Sequence, residues 1–326
     1  MTTLEQQYEA ITSGAGIARL GGRLVVRVTG DDRVSFLHGM CSQDIKNLPA
    51  GAAAPALLLT EHAHVVAEFI VYAEADALLI EIERDAWPRA RSHLEQFLVA
   101  DDVEFEECGD LAVIDVEGPL AGSAVAAVAG EEAGALKEWR HFFAGATRIA
   151  SVPRFGAPAF TLILDQSEAD HLIKELADAG GQRPQINQAI LEILRVEHGL
   201  AEAGVDTFEK TLALEARLER AISFNKGCYI GQETIERATA RGGIKKRLCS
   251  LSINAAEAPP VNSAVTFEGK ESGRLTSVVR SPKLGFIGLA ILHYSAWSAG
   301  SRVTIKAADR SWEAVVRQSD DGADTS

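Results

Sequence analysis

The C-terminal part of the chain is built from short apolar runs separated by turn residues, and this pattern constrains the fold most. The runs are Leu248 to Ile253, Ala264 to Phe267, Leu275 to Val279, Phe286 to Leu292, Val303 to Lys306 and Trp312 to Val316. Short runs of this kind at close spacing predict a small antiparallel barrel or sandwich. We expect this β domain at residues 246–318, followed by an acidic, polar tail at 319–326 that is disordered.

Two earlier segments share a strand–helix pattern. The apolar run at Leu78 to Glu83 precedes a capping Asp85, and the run at Phe160 to Leu164 precedes a capping Ser167. Apolar residues at helical spacing follow each cap. An alternating run at 103–106 completes the first unit, so both segments predict halves of split βαβ units in two α+β domains. The fold class is therefore α+β with a C-terminal β domain.

Length, charge and composition limit the classes of function. The 326 residues are 47% hydrophobic, which is enough for a large core, and the formal net charge is −14 with a pI near 5.1. An acidic chain lacks the broad basic surface that phosphate neutralisation needs, so we expect no direct nucleic-acid partner. No apolar stretch reaches the roughly 20 residues of a membrane span, and the N-terminus is not of the secretory type. We expect a cytoplasmic monomer.

The four cysteines, Cys41, Cys108, Cys228 and Cys249, are scattered and form no Cys-x-x-Cys pair. This spacing disfavours a zinc site or an iron–sulfur cluster held by the chain itself, and a cytoplasmic location disfavours disulfides. His62 and His64 lie near acidic residues, but no third ligand can be identified. The sequence therefore predicts no metal site.

The segment 226–233 is the strongest chemical motif. Its residues are Lys226, Gly227, Cys228, Tyr229, Ile230, Gly231, Gln232 and Glu233. The cysteine stands beside a lysine at an apparent helix start, and both features stabilise a thiolate, so we expect a thiol pKa below the ordinary value. The alternative is a buried cysteine that acts only as a small apolar side chain.

This motif, followed by Arg237, Arg241 and a glycine pair, resembles the signature of the YgfZ family of folate-binding proteins, relatives of the glycine-cleavage T-protein. Further blocks occur in the family's order: Gly30 to Arg33 with Ser42 to Asp44, Val65 to Tyr72, Val116 to Pro119, Leu194 to Gly199, and Gly273 to Ser277 with Ser281-Pro282. The resemblance covers nearly the whole chain. It implies two interleaved ferredoxin-like domains and a β-barrel around a central folate channel.

The resemblance also implies domain limits and a pterin anchor. We expect a discontinuous folate-binding domain at 1–50 and 115–245, a second α+β domain at 51–114, and the barrel at 246–318. In the T-protein, the glutamate of the Leu-Arg-x-Glu block accepts hydrogen bonds from the guanidine-like edge of the pterin, and here it is Glu197, beside Arg195. The alternative is a salt bridge between Glu197 and Arg195 or a nearby lysine.

Other candidate folate contacts follow from position. Leu191 and Arg23 stand where the family can place ring-stacking side chains, although Leu191 offers only apolar contact and is equally well explained as a core residue. Arg237 and Arg241 are four residues apart, on one helix face, and could hold the glutamate tail of folate or an acidic partner. The alternative for this basic cluster is a solvated face that pairs with surface carboxylates.

The stretch Val65 to Tyr72 resembles a T-protein block with two adjacent aspartates. Here these positions are Ala67 and Glu68. One carboxylate is missing and the other is longer, which disfavours transferase activity, although Glu68 could still act as a base or only cap a polar edge.

Three functions remain open at this stage, and one of them is an interaction scaffold that has lost folate altogether. The resemblance implies a tetrahydrofolate-binding protein that supports iron–sulfur cluster assembly or repair in client enzymes, including, indirectly, tRNA-modifying enzymes. Cys228 would then act as a nucleophile, a transient cluster ligand or a redox sensor. The alternative is an enzyme, a folate-dependent aminomethyltransferase or demethylase that transfers a one-carbon unit with help from Glu68 or Cys228.

Overall fold

A computed structural model describes residues 3–179, 183–208, 210–240 and 243–318. The chain divides into two compact units. Unit 1 comprises Met1–Leu59, Val66–Ile190 and Ala221–Ile230, and unit 2 comprises Thr60–Val65, Leu191–Arg220 and Gly231–Ser326. Within the described ranges, no helix is long and apolar enough to cross a membrane.

The secondary structure alternates between strands and short helices. The helices are α1 (Leu4–Ser13), α2 (Arg33–Met40), α3 (Trp87–Glu95), α4 (Ala121–Ala129), α5 (Glu131–Gly134), α6 (Ala169–Asp178), α7 (Gln188–Glu197) and α8 (Gln232–Ala240). The strands are β1 (Gly16–Arg19), β2 (Arg23–Thr29), β3 (Ala53–Leu59), β4 (Val65–Ala73), β5 (Leu78–Glu83), β6 (Glu104–Cys108), β7 (Leu111–Glu117), β8 (His141–Ala144), β9 (Thr147–Ser151), β10 (Ala159–Asp165), β11 (Lys246–Asn254), β12 (Ala264–Phe267), β13 (Lys270–Ser281), β14 (Gly285–His293), β15 (Arg302–Ala307) and β16 (Arg310–Val316).

Unit 1 contains two five-stranded sheets. One has the order β3-β4-β5-β2-β6 and the other β1-β7-β10-β9-β8. Helices α2 and α3 supply apolar side chains to the core on one face of the first sheet, and α4 and α6 do the same for the second. Strand residues alternate between the two faces of a sheet, so the charged residues inside β5 and β7 point away from these apolar cores. The face of each sheet that carries them packs against the same face of the other sheet, and a buried polar layer lies between the two.

Unit 2 contains a closed barrel of antiparallel strands in the order β11-β14-β13-β12-β15-β16. Its core holds Leu251, Leu275, Val303 and Trp312, which come from the apolar runs of the sequence. Closure leaves no exposed sheet edge. The predicted fold class, two sheet-containing α+β domains with a C-terminal antiparallel β-barrel, is confirmed.

The structure corrects two local expectations. Helix α8 begins at Gln232, because Gly231 has a φ of +90° and turns the chain just before it, so Cys228 lies four residues ahead of the helix rather than at its start. Strand β2 pairs with β5 and β6, so Arg23–Thr29 belong to the sheet of residues 53–108 rather than to the sheet of β7 and β10. A local sequence pattern does not reveal such a long-range pairing. Arg241 and the tail at 319–326 lie outside the described residues.

Candidate functional site

The segment Lys226–Ile230, here called the cysteine loop, is fixed to the C-terminal end of α2. The Lys226 ammonium donates to the carbonyl oxygens of His38, Cys41 (2.7 Å) and Gln43 (2.9 Å), and it is buried. An ammonium has three hydrogens, so all are used. Burial lowers the pKa of Lys226 below its ordinary value. The positive charge also complements the carbonyl end of a helix, which makes Lys226 a structural clamp.

The other end of the cysteine loop is held by the Ile230 N–H, which donates to the Gly39 carbonyl at 3.3 Å. Cys228 lies between the two attachments and is exposed. Cys41 and Cys249 are buried, and burial raises the pKa of each to about 11. Exposure makes Cys228 the thiol best placed for chemistry, and it excludes the alternative of a buried apolar side chain.

Glu197, in unit 2, is half-buried at the end of α7. Its carboxylate accepts a hydrogen bond from the Ser281 hydroxyl. Ser281 Oγ in turn accepts from the backbone N–H groups of Lys283 (3.0 Å) and Leu284 (2.9 Å). These two donors take up the lone pairs of the hydroxyl, so its hydrogen is directed to Glu197. The carboxylate is therefore oriented by the turn that contains Ser281.

Arg195, predicted to contact folate, occupies a buried network in unit 2. Its guanidinium donates to both carboxylate oxygens of Glu192 (2.8 and 2.6 Å), to the Leu200 carbonyl (2.7 Å), to Asp206 and to Ser277 Oγ (2.8 Å). These contacts use all of its donor directions. Arg195 therefore stabilises the segment that follows α7, and its direct contact with folate stays a prediction.

The other predicted folate contacts within the described residues are a core leucine and two arginines that already pair with carboxylates. Leu191 is 1% exposed, as expected of a core leucine. The Arg23 guanidinium is 3.0 Å from Glu83 Oε1 and 3.7 Å from Glu81 Oε1, so carboxylates already engage it. Arg237 is exposed and pairs with Glu233 across one helical turn at 2.8 Å, the geometry of a solvated ion pair.

A polar cluster that the sequence did not predict fills the layer between the two sheets of unit 1. Arg154 donates to Asp115 Oδ2 at 2.9 Å and lies 2.9 Å from Glu81 Oε1. Tyr72 donates to Glu81 at 2.6 Å, and Thr161 donates to Asp115 at 2.7 Å. All five residues are at least 90% buried. One guanidinium thus balances two carboxylates, and we call this set the Arg154 cluster.

The cluster perturbs the protonation of its members. Burial would raise the pKa of Glu81, but Arg154 and Arg23 hold it below the ordinary value. Burial and the neighbouring Glu81 raise the pKa of Asp115. Glu117 lies two residues further along β7 on the same face, fully buried, and neither carboxyl oxygen has a hydrogen-bond partner among the described residues. Burial and Asp115 raise the pKa of Glu117 well above its ordinary value, which favours its neutral form in the folded chain.

Replacing Glu117 with Gln is expected to stabilise the protein increasingly as pH rises. Because the pKa of Glu117 is higher in the folded than in the unfolded chain, the unfolded chain ionises first as pH rises, and the free energy of unfolding falls. This free energy falls by about 1.4 kcal/mol for each pH unit between ~4.3, the unfolded pKa of a glutamate, and the folded pKa. A neutral amide does not ionise and so avoids the loss. Urea denaturation at pH 4.5, 6 and 7.5 should show a difference that grows with pH. A constant difference would show that Glu117 is ionised in the folded state.

Two protein-family models match this chain, one over its N-terminal part and one over its C-terminal barrel. Residues 1–226 match the GCVT N-terminal domain, and residues 246–319 match the glycine cleavage T-protein C-terminal barrel domain. The chain belongs to the glycine cleavage T-protein family. The suspected membership in the superfamily of YgfZ and the T-protein is thereby confirmed.

Relatives of this T-protein family member include a tRNA-modifying protein YgfZ and an aminomethyltransferase. The tRNA-modifying protein YgfZ of Yersinia enterocolitica is 27% identical over 258 residues, which are 78% of this chain and 76% of that protein. An aminomethyltransferase of Rubrobacter xylanophilus is 25% identical over 294 residues, which are 88% and 78% of the two chains. The crystal structure of the glycine cleavage system aminomethyltransferase T from Bartonella henselae has a TM-score of 0.85 at 19% identity, covering 97% of this chain and 88% of that one. That likeness establishes the shared fold.

That Glu68 stands at the position of the second aspartate of the T-protein block stays a prediction from the sequence. Glu68 is half-buried on β4 and shares a sheet face with Tyr72, because the two are four residues apart on one strand. Ile70, on the same face, pairs in register with Glu81. Glu68 therefore lies on the face of the sheet that carries the Arg154 cluster.

Proposed function

We propose that this protein binds tetrahydrofolate or a one-carbon derivative, with Glu197 as the anchor of the pterin ring. The proposal is carried by the oriented Glu197 carboxylate, in a chain that belongs to the T-protein family. An ionised carboxylate presents acceptors to a pair of parallel N–H donors, which is the pattern on the pterin edge. The Ser281 hydroxyl contacts Glu197 Oε1 and fixes its direction.

Leu191 lies six residues, about 1.7 turns, before Glu197 on α7 and is 1% exposed, so its contact with folate stays a prediction. The Glu197 carbonyl accepts from Arg317 Nη1 at 3.4 Å. A bound reduced folate would supply one-carbon and redox chemistry. The protein residues would bind and orient the pterin through Glu197. Contacts of the folate tail with Arg237 and Arg241, and the central channel, stay predictions.

We further infer that the protein supports iron–sulfur cluster assembly or repair in client enzymes, and so affects tRNA modification indirectly. Relatives named as the tRNA-modifying protein YgfZ support the link to tRNA modification. The exposed Cys228, on a loop clamped at both ends, supports the inference as well, because a fixed, accessible thiol suits reaction with a substrate or a partner. The cytoplasmic location, the monomeric state and the lack of direct nucleic-acid contact stay predictions.

The alternative is a folate-dependent aminomethyltransferase or demethylase, favoured by the position of Glu68 on the sheet face that carries the Arg154 cluster and by the aminomethyltransferases among the relatives. Under this alternative, Glu68 accepts a proton from the substrate amine. A turnover assay for methylenetetrahydrofolate, with Glu68→Gln as the inactive variant, distinguishes it from a binding protein.

A cellular assay tests the maintenance role. Cells that lack the protein should show low activity of their iron–sulfur enzymes, and the unmodified gene should restore that activity. Glu197→Ala and Cys228→Ser should each fail to restore it, whereas Cys108→Ser, a matched change at a half-buried thiol, should restore it fully. Equal restoration by all variants would contradict the proposed role of both residues.

A further inference from the structure

Strand β13 of the barrel contains a β-bulge at Thr276. Its register with β14 shifts between Leu275 and Ser277, so Thr276 is an extra residue that opposes no residue of its own. A glycine stands opposite the bulge, since a Cβ added to Gly288 would lie only 2.6 Å from the Ser277 carbonyl oxygen. One extra residue reverses the direction of every side chain that follows it in the strand.

The bulge determines which way Ser281 points. Leu275, before the bulge, lies in the barrel core. In a regular strand Ser277 and Ser281 would point into the core as well, because each lies an even number of residues after Leu275. After the bulge it is Val278 that packs against the core, and the register is regular from there to Ser281. Ser281 therefore points outward, where its hydroxyl donates to the Glu197 carboxylate.

The bulge is held by Asp206, a fully buried residue in the segment that follows α7. Asp206 Oδ1 accepts from the hydroxyls of Thr276 and Ser277, the second at 2.7 Å. Asp206 Oδ2 accepts from Arg195 Nη1 and, at 3.1 Å, from the Glu202 N–H. Hydrogen bonds to an ionised acceptor are stronger than neutral ones. One carboxylate thus binds two residues of the bulge and a residue of α7 at the same time.

We propose that Asp206 is a positioning residue for the folate anchor, because it holds the bulge that turns Ser281 toward Glu197. The contact through Arg195 fixes α7 against β13 two residues before Glu197, and Arg195 Nη2 also donates to Ser277 Oγ at 2.8 Å. Strand and helix are therefore held together beside the hydrogen bond that orients the carboxylate. This role needs no contact between Asp206 and folate, and it rests on the proposed function only in taking Glu197 as the anchor.

The test is anaerobic calorimetry of tetrahydrofolate binding to the full-length protein and to Asp206→Asn. The amide replaces one acceptor oxygen with a donor, so it cannot accept from both Arg195 and the bulge hydroxyls. We expect an affinity about tenfold lower, as for Ser281→Ala. In a Ser281→Ala background the same change should lower the affinity less than about twofold, because the group that Asp206 positions is already absent. Asp309→Asn, in the exposed turn between β15 and β16, should bind as the unmodified protein does.

Two further measurements apply if Asp206→Asn folds poorly or if folate does not bind. Thr276→Val removes one hydroxyl from the bulge and leaves the pair of Arg195 and Asp206 intact, so we expect an affinity about fivefold lower, and Thr276→Ser should restore it. Nuclear Overhauser effects between the side-chain protons of Ser281 and Glu197 report their contact without folate. They should be present in the unmodified protein and lost in Asp206→Asn.

Two results would overturn the proposal. Equal fold losses of affinity for Asp206→Asn in the unmodified and Ser281→Ala backgrounds would show that Asp206 only stabilises unit 2. Overhauser effects between Ser281 and Glu197 that persist in Asp206→Asn would show that Asp206 does not set the direction of Ser281. If the unmodified protein bound no tetrahydrofolate, the proposed function would fail, and the Overhauser measurement would still decide this proposal.

Discussion

Replacing Arg154 with Met is expected to lower the free energy of unfolding by about 3–5 kcal/mol, because a buried charge left without its partner is strongly destabilising. Arg154 balances Glu81 and Asp115 at 2.9 Å each, and both carboxylates are fully buried. Without the guanidinium, the acids must be buried as unpaired charges or take up protons. Urea denaturation of the full-length protein, followed by tryptophan fluorescence, measures the change.

Two matched variants make this prediction specific. Arg91 forms ion pairs with Glu95 and Glu107 but is 43% exposed, so Arg91→Met should cost less than about 1 kcal/mol. Adding Glu81→Gln and Asp115→Asn to Arg154→Met should recover part of the lost stability, since no charge is then buried. If Arg154→Met and Arg91→Met were equally stable, the cluster would not be an energetically important buried ion network.

Glu197→Gln is expected to weaken tetrahydrofolate binding about 100-fold, or by about 3 kcal/mol. The amide keeps the size of the side chain but removes the charge and turns one acceptor into a donor that faces the donors of the pterin. Ser281→Ala leaves the carboxylate in place and removes only its orienting hydrogen bond, so a smaller loss of about tenfold is expected.

Anaerobic calorimetry measures these affinities. Glu313→Gln, at an exposed position on barrel strand β16, is the matched control and should bind as the unmodified protein does. A Glu197→Gln variant with unchanged affinity would remove Glu197 from the site, whatever else binds the ligand.

The barrel could be predicted from sequence because each of its strands is a short apolar run that can be assigned as a strand from local sequence alone. The strand–helix units around β5 and β10 were equally readable, since capping residues and helical spacing are local signals. Long-range pairing was not readable. Nothing within Arg23–Thr29 indicates that it joins β5 and β6 rather than β7.

The Arg154 cluster was missed for a related reason. Glu81 and Asp115 each stand between apolar residues of a strand, a pattern that normally indicates a solvent-facing side of a sheet. Only the packing of a second sheet on that face buries them. Arg154 lies in the irregular segment between β9 and β10, where sequence carries no periodic signal. The available signal was that several strands carry charged residues on the face that the sequence pattern assigns to solvent.

Folate binding is tested most directly by an anaerobic titration of tetrahydrofolate into the unmodified protein and into Cys228→Ser. We expect saturable binding of one ligand per chain, with the same affinity in both proteins, because Glu197 is the proposed anchor and the thiol is proposed to act in chemistry. Absence of saturable binding to correctly folded, unmodified protein would contradict folate binding, while leaving the family and the fold unchanged.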